Sequence, residues 1–312
     1  IISAQKSVNQ SSNNCVISVG SDFNGNANGA TFTMTGGTIE SNTTCVYGSN
    51  KSNINIGNDS TLQSFMSMCV FLGNDGHKNG TTWDVAGGQT LNITDNAHLI
   101  TGVDFTYSKK DGDFTGTGDS ATITKNGVEI TKKKNSNVSA IQVSGNYNDF
   151  ELSNARNTHV KDSTLLKANI NISDNAVIEF RNDEDNLLKD GGQYKGNTTA
   201  IYIGGYAKLT IKDSARVTSG GTGVEMRAGE LEIPLDSNVT VESTAKNYKV
   251  RIDGNTSGST TFGAAIAISQ HTTNQDIKTN VASGDFSAPI ALVVENPQAN
   301  PDTSTIEANL TG

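Results

Sequence analysis

The chain contains few of the residues that build most globular cores and catalytic centres. Of its 312 residues only 6% are aromatic, and it has one Trp, four Pro, four His and three Cys. Hydrophobic residues of all kinds make up 34%, which is low for an ordinary globular domain. Disorder does not fit either, because the apolar residues are β-branched and regularly spaced. A β structure in which only alternate residues are buried accounts for both observations.

Basic charge and long apolar runs are also missing. Acidic residues outnumber basic ones by 32 to 23, which gives a net charge of −9. Nucleic acid is therefore excluded as an expected partner, because binding it requires a basic surface. No apolar stretch approaches the length needed to span a bilayer, so we expect no membrane insertion. The chain opens with Ile1 rather than Met, and we expect any signal peptide or anchor to lie outside it.

Signatures of catalysis and metal binding are absent from the sequence. It contains no GxSxG, no Gly-rich phosphate loop, no HExxH and no CxxC. Its histidines, at positions 77, 98, 159 and 271, lack ligand spacing. The sequence therefore predicts no catalytic residue, no cofactor and no metal site. One alternative stays open, because the acidic stretches 111–119 and 181–186 offer oxygen ligands that could bind calcium.

A nine-residue motif occurs five times. Its copies are INIGNDSTL (54–62), LNITDNAHL (91–99), INISDNAVI (170–178), LTIKDSARV (209–217) and LEIPLDSNV (231–239). Each begins with an apolar residue, any residue and Ile, which is strand alternation. Asp, Asn, Ser or Gly follow and are typical of turns. A further apolar residue closes the motif, so it predicts strand, corner, strand.

A second motif precedes most of these copies. It is a small residue followed by alternating apolar positions, as in CVYG from residue 45 and AIYI from residue 200. Together the motifs define three short strands that recur every 22 to 30 residues where no insertion intervenes. Such a period is typical of a parallel β-helix, in which stacked coils bury apolar residues against one another. We predict an all-β solenoid of roughly nine three-strand coils.

Insertions interrupt the pattern at 73–88, 104–119, 153–168 and 181–199. In a solenoid such segments leave the wall as loops. We expect residues 1–312 to form one domain. Within it we expect residues 1–30 to form an N-terminal cap, and residues 244–312 to form less regular coils or a cap.

The three cysteines fall at the small position of the second motif. Cys15, Cys45 and Cys69 each precede alternating apolar residues, where other copies have Ala or Gly. We expect a stack of buried thiols. A disulfide between neighbouring coils is the alternative, because the coil spacing permits it.

A candidate binding face follows from the second motif. Tyr202 lies between Ile201 and Ile203, so its ring should point out of the wall. The counterparts of Tyr202 in the adjoining coils are Gln142 and Glu225. Rings flanked by amide and carboxylate groups are typical of sugar-binding grooves. The candidate ligand-binding residues are Gln142, Tyr147, Tyr202, Tyr206, Glu225 and Arg227, and Trp83 in the first insertion could be a further contact.

The repeated lines LTIKDSARV and LNITDNAHL, with corners rich in Asn, Thr and Gly, resemble the pectate-lyase-like adhesive domains of Gram-positive cell-surface proteins. The resemblance implies a right-handed parallel β-helix. It also implies a non-catalytic adhesin that binds host or environmental glycans or glycoproteins along the side of the helix. Such a protein is secreted and held at the cell wall through a region outside this fragment.

A structural stalk or a phage-type fibre is one alternative function, and an enzyme that acts on acidic polysaccharide is the other. A lyase needs a base beside the uronate carboxylate and a cation to stabilise charge. Arg216 and Arg227 are the candidates for that base. A hydrolase needs two facing carboxylates, for which Glu225 with Asp213 or Glu242 is the available choice, although the repeat places them on different walls.

Overall fold

The computed structural model describes residues 2–4, 15–20, 29–41, 43–49, 51–64, 67–73, 77–79, 82–84, 88–102, 120–125, 128–133, 139–144, 167–181, 189–190, 193–194, 199–250, 261–269, 276–295 and 305–311. Throughout these ranges the regular structure is β-strand. In that part of the chain no helix is long and apolar enough to cross a membrane.

Three parallel sheets of eight strands each make up the body of the protein. Sheet A contains β1 (Ile2–Ala4), β4 (Gly37–Ser41), β7 (Ser60–Ser64), β12 (His98–Thr101), β17 (Val177–Phe180), β22 (Arg216–Ser219), β25 (Thr240–Ser243) and β30 (Asp285–Ser287). Sheet B contains β2 (Cys15–Val19), β5 (Thr44–Gly48), β8 (Val70–Gly73), β15 (Ile141–Ser144), β20 (Thr199–Ile203), β23 (Thr222–Met226), β28 (Ala264–Ser269) and β31 (Ile290–Glu295). Sheet C contains β3 (Thr31–Met34), β6 (Asn53–Ile56), β11 (Thr90–Ile93), β16 (Ala168–Ile172), β21 (Ala207–Ile211), β24 (Gly229–Ile233), β29 (Ile277–Val281) and β32 (Ile306–Leu310).

The chain visits the sheets in the constant order A, B, C. This three-strand repeat is the one that the two motifs predict, and it is compatible with a parallel β-helix. Each sheet has eight strands in the described ranges, where the sequence predicts roughly nine coils. Strands beyond residue 260 continue the same three sheets.

In the described part of the chain, four antiparallel strand pairs lie outside the three sheets. They are β9 (His77–Asn79) with β10 (Thr82–Asp84), β13 (Ser120–Lys125) with β14 (Val128–Lys133), β18 (Lys189–Asp190) with β19 (Gln193–Tyr194), and β26 (Lys249–Val250) with β27 (Thr261–Phe262). Three of these pairs fall in segments between repeat strands that the sequence marks as insertions or their continuations.

Strand register confirms the prediction that apolar residues of successive repeats lie above one another. In sheet C the first apolar residues of the five motif copies form one column, which consists of Ile54, Leu91, Ile170, Leu209 and Leu231. All five side chains are essentially inaccessible to solvent. Inward residues of all three sheets belong to a single hydrophobic cluster, so the core lies between the sheets.

The corner between sheets C and A is tight and regular. Its central residue has a positive φ in five repeats: Asn58 (51°), Asp95 (57°), Asp174 (59°), Asp213 (59°) and Asp236 (67°). Asp and Asn tolerate this left-handed conformation better than other residues with a Cβ. Their side chains also link the repeats, because the Asp95, Asp174 and Asp213 carboxylates accept hydrogen bonds from the corner amides of Asn58, Asp95 and Asp174 at 2.8, 3.1 and 3.3 Å.

Connection length differs sharply between the three corners. From sheet C to sheet A the chain never uses more than six residues, as between Ile233 and Thr240. Every longer connection runs from sheet A to sheet B or from sheet B to sheet C, including the one from Ser144 to Ala168. The long segments therefore lie only at the two ends of the sheet B strands, where the chain enters the sheet from sheet A or leaves it for sheet C.

The cysteines do not all share one position, which corrects the sequence prediction. Register places Cys45 beside Cys69, and the same slot holds Ala140, Ala200 and Gly223 in later repeats. Cys15, however, pairs with Thr44, so Val16 rather than Cys15 lies beside Cys45. Cys45 and Cys69 are fully buried, whereas Cys15 is half-buried, and all three are free thiols.

Candidate ligand-binding face

Three of the candidate residues form one column on the outer face of sheet B. Gln142 pairs with Tyr202, and Tyr202 pairs with Glu225, on strands β15, β20 and β23. These side chains alternate with the inward residues Ile201 and Ile203. The shared column therefore follows from the period of the strands, as the sequence indicates.

This column is not open to solvent. Tyr202 is 4% exposed, Gln142 6%, Arg227 1% and Glu225 0%. Strands β20, β23 and β28 are buried at every residue, whereas strands of sheets A and C alternate between buried and accessible positions. These inner strands of sheet B are thus covered on both faces, whereas the end strands β2 and β31 are not. A ligand does not reach the four side chains in this conformation.

Tyr202 and Arg227 hold one another in place. The Arg227 guanidinium donates a hydrogen bond to the Tyr202 hydroxyl, and its Cζ lies 5.7 Å from the centroid of the ring. Gly204 leaves room for the ring, because a Cβ at this position would lie 2.8 Å from Cε1 of Tyr202. Charge, ring and hydroxyl are therefore fixed in one buried arrangement.

Tyr206 lies at the corner from sheet B to sheet C and is half-buried. The Lys167 ammonium group lies 5.1 Å from the centroid of its ring and donates to the Glu230 carboxylate. Burial alone would lower the pKa of Lys167, but its hydrogen bond to the Glu230 carboxylate and the Tyr206 side chain raise that pKa. The result is an accessible group of ring, ammonium and carboxylate, which we call the Tyr206 corner (Lys167, Tyr206 and Glu230).

Sequence reasoning missed two of the residues in the Tyr206 corner and two aromatic residues in the column. Tyr47 pairs with Phe71, and Phe71 pairs with Gln142, so both rings belong to the Tyr202 column. Their centroids are 5.5 Å apart and the ring planes are inclined by 27°. The signal was present, because CVYG and CVFL place Tyr47 and Phe71 at the motif position that holds Tyr202. Lys167 and Glu230 carry no such signal, since their contact joins residues 63 positions apart.

Two candidate contacts cannot be placed. Tyr147 lies outside the described residues, as does the side chain of Trp83. The acidic stretch 111–119 lies outside them too, and so does 181–186 except for Arg181. Among the residues that the structure describes, no three His, Cys, Asp or Glu side chains are arranged to hold a metal ion.

The residues considered for catalysis are distributed over different walls. Arg216 and Glu242 lie on the outer face of sheet A, where they form an ion pair at 3.0 Å. Asp213 occupies the corner between sheets C and A. Glu225 lies on β23 of sheet B, Arg227 directly follows that strand, and both are buried. None of the pairs proposed for a lyase or hydrolase is brought together.

A second charged cluster lies on the outer face of sheet A. Glu179 accepts a hydrogen bond from His98 Nε2 at 3.0 Å and from Arg181 Nε at 2.9 Å. Burial alone would raise the pKa of Glu179, but the bonds from His98 and Arg181 outweigh it and lower the pKa to about 2. The carboxylate is therefore ionised over the whole range in which the protein would function.

The chain matches no protein-family model, no curated protein and no solved structure. The likeness to adhesive domains of cell-surface proteins thus depends on the repeat motifs themselves.

Proposed function

We propose that the protein is a non-catalytic adhesin that binds glycans or glycoproteins through the side of a right-handed parallel β-helix formed by its three sheets. Closure of the sheets is supported by the single core that their inward residues share. The adhesive role is supported by the motif resemblance and by a solenoid surface long enough to present an extended face. Display at a cell surface, secreted and wall-anchored, belongs to the same proposal.

One observation carries the choice of face. All long connections lie at the ends of the sheet B strands, and loops on a rigid scaffold commonly carry binding function. The Tyr206 corner lies at the end where the chain passes from sheet B to sheet C. It is accessible, with side-chain exposures of 26% for Lys167 and 37% for Glu230. An aromatic ring beside charged hydrogen-bonding groups suits a sugar, because the ring stacks on its apolar face while the charged groups bind its hydroxyls. We therefore propose that the ligand first contacts the Tyr206 corner. The buried residues Gln142, Tyr202, Glu225 and Arg227 would then stabilise sheet B without contacting the ligand.

The proposal is tested by applying the purified protein to a glycan array that includes pectin fragments and mucin glycans, with and without calcium. Absorbance is followed in parallel for the unsaturated uronate that a lyase releases. We expect binding without product, and at least a tenfold loss of affinity in Tyr206→Ala and in Lys167→Ala. Thr210→Ala, on the outer face of sheet C, is the matched control and should bind normally.

Product formation would overturn the non-catalytic assignment. Absence of binding to every glycan would refute the ligand class, and equal loss of binding in Thr210→Ala would refute the choice of face.

A further inference from the structure

Two buried cysteines from neighbouring repeats lie side by side. Val46 pairs with Val70, so Cys45 on β5 and Cys69 next to β8 are direct neighbours across the strands. Adjacent parallel strands are about 4.8 Å apart, and disulfides form at Cα separations of about 4.4–6.8 Å. The backbone spacing therefore suits a bridge between these two residues.

Each sulfur atom lies against a carbonyl of β7 and a carbonyl of one further strand of sheet A. Cys45 Sγ donates to the carbonyls of Gln63 at 3.4 Å and Ile39 at 3.9 Å. Cys69 Sγ donates to the carbonyls of Ile100 at 3.0 Å and Leu62 at 3.4 Å. The two thiols thus share β7 as a neighbour.

Cys15, the third cysteine, is not placed beside Cys45 or Cys69 in the folded chain. Its partner across the strands is Thr44, and the residue beside Cys45 on that side is Val16. The register therefore selects one pairing from the three that three cysteines allow.

We propose that Cys45 and Cys69 are a disulfide site that links two successive repeats under oxidising conditions. The reaction needs an oxidant, which would be a low-molecular-weight disulfide. The Cys45 thiolate attacks one sulfur of that molecule and releases a thiolate, leaving a mixed disulfide. The Cys69 thiolate then attacks Cys45 Sγ and releases the second thiolate, so two protein thiols are oxidised and one small disulfide is reduced to two thiols.

The bridge forms before this part of the core is closed. Both cysteines have 0% exposure in the folded protein, and burial raises the pKa of the Cys45 thiol. A buried protonated thiol is a poor nucleophile, because the thiolate is the reactive species. Oxidant added to the folded protein should therefore leave the pair reduced, whereas oxidant present during folding should join it.

The test uses the full chain with Cys15→Ser, which removes the half-buried thiol. The reduced protein is unfolded in urea and refolded in a mixture of reduced and oxidised glutathione. It is then denatured, alkylated and measured by mass spectrometry. We expect a monomer two mass units lighter than the reduced chain, with no alkylated cysteine, and a higher Tm than that of the same protein refolded with reductant only.

Cys45→Ala in the same background is the control. It should fold, because Ala140 and Ala200 fill this slot in later repeats, and its circular dichroism spectrum verifies that it does. Its Tm should be the same under both refolding conditions. Two alkylated cysteines in the refolded parent, a stable glutathione adduct on Cys69 or a disulfide-linked dimer would each overturn the proposal.

Discussion

At the scale of single residues, the structure separates side chains that hold the fold from side chains that are accessible to a partner. Tyr202 and Arg227 are outward-facing by strand period but buried, and Arg227 donates a hydrogen bond to the Tyr202 hydroxyl. Tyr206, four residues from Tyr202, is accessible. The sequence predicts the direction in which Tyr202 points, because alternation fixes it. It does not predict burial of that face, because strand alternation fixes the direction of a side chain and not its solvent exposure.

Glu179 permits a prediction about pH at this scale. Its pKa is lowered from 4.5 to about 2 by His98 and Arg181, so it stabilises the folded state fully above pH 4.5, and this contribution is lost as the pH falls towards 2. Glu179→Gln should therefore have a lower urea midpoint than the parent protein at pH 6, and the difference should shrink steadily below pH 4.5. Midpoints measured from pH 6 down to the lowest pH at which both proteins fold test this.

Thr218→Ala, at the next position of the same column on sheet A, is the control and should show a pH-independent difference. A Glu179→Gln difference that is constant over the same range would mean that the ion pairs contribute nothing to stability.

At the scale of strands and corners, the sequence predicts most of what the structure contains. Four copies of the nine-residue motif contain a strand of sheet C, a corner and the start of a strand of sheet A, and in the fifth copy the sheet A strand begins one residue later, at Thr240. Each described copy of the second motif lies in sheet B. The prediction worked because Leu91 and its equivalents must repeat on one face. It failed for Cys15, where the motif letters agree but the register differs by one residue. Backbone pairing, not composition, decides such a shift.

The outer face of sheet C contains a ladder of asparagines that tests how repeats are held together. Asn92 donates from Nδ2 to Oδ1 of Asn55 at 2.8 Å and accepts from Nδ2 of Asn171 at 2.8 Å. Asn92→Ala removes both bonds and should lower the free energy of unfolding by about 1–2 kcal/mol, at about 1 kcal/mol for each net hydrogen bond. Urea denaturation measures this change.

Asn92→Thr gives the matched comparison, because Thr33 and Thr210 occupy the equivalent positions in other repeats. It should lose less than Asn92→Ala, since Thr favours strands. Equal free energies of unfolding for Asn92→Ala and the parent protein would show that the asparagine hydrogen bonds contribute nothing to stability.

At the scale of the whole molecule, the strands of each described repeat pair with those of the repeats before and after it. In such proteins the stability is approximately a sum over repeats and their interfaces. Leu209 lies directly beside Leu231 in sheet C, so removal of residues 209–230 joins Lys208 to Leu231 and keeps every column in register. The shortened chain should fold into the same sheets with one strand fewer in each.

Circular dichroism and urea unfolding test the deletion. We expect an unchanged spectrum per residue and a smaller dependence of the unfolding free energy on urea, because less surface is exposed on unfolding. Deletion of residues 209–219 is the control. It removes half a repeat, including the sheet A strand β22, so that the sheet B strand β23 follows the start of β21 directly. This loss of register should abolish cooperative unfolding. Loss of folding in the full-repeat deletion would show that the repeats are not interchangeable.

The uneven lengths of the corners have a consequence for engineering. A foreign peptide placed between Ser144 and Ala168 would occupy a connection that is already long and would leave the strand ladders intact. The same peptide at Asp174 would interrupt the carboxylate-to-amide bonds that join three successive corners. As a scaffold for displaying peptides, the protein should therefore tolerate insertions at the ends of the sheet B strands but not at the corner between sheets C and A. Libraries of inserted loops belong at the sheet B connections.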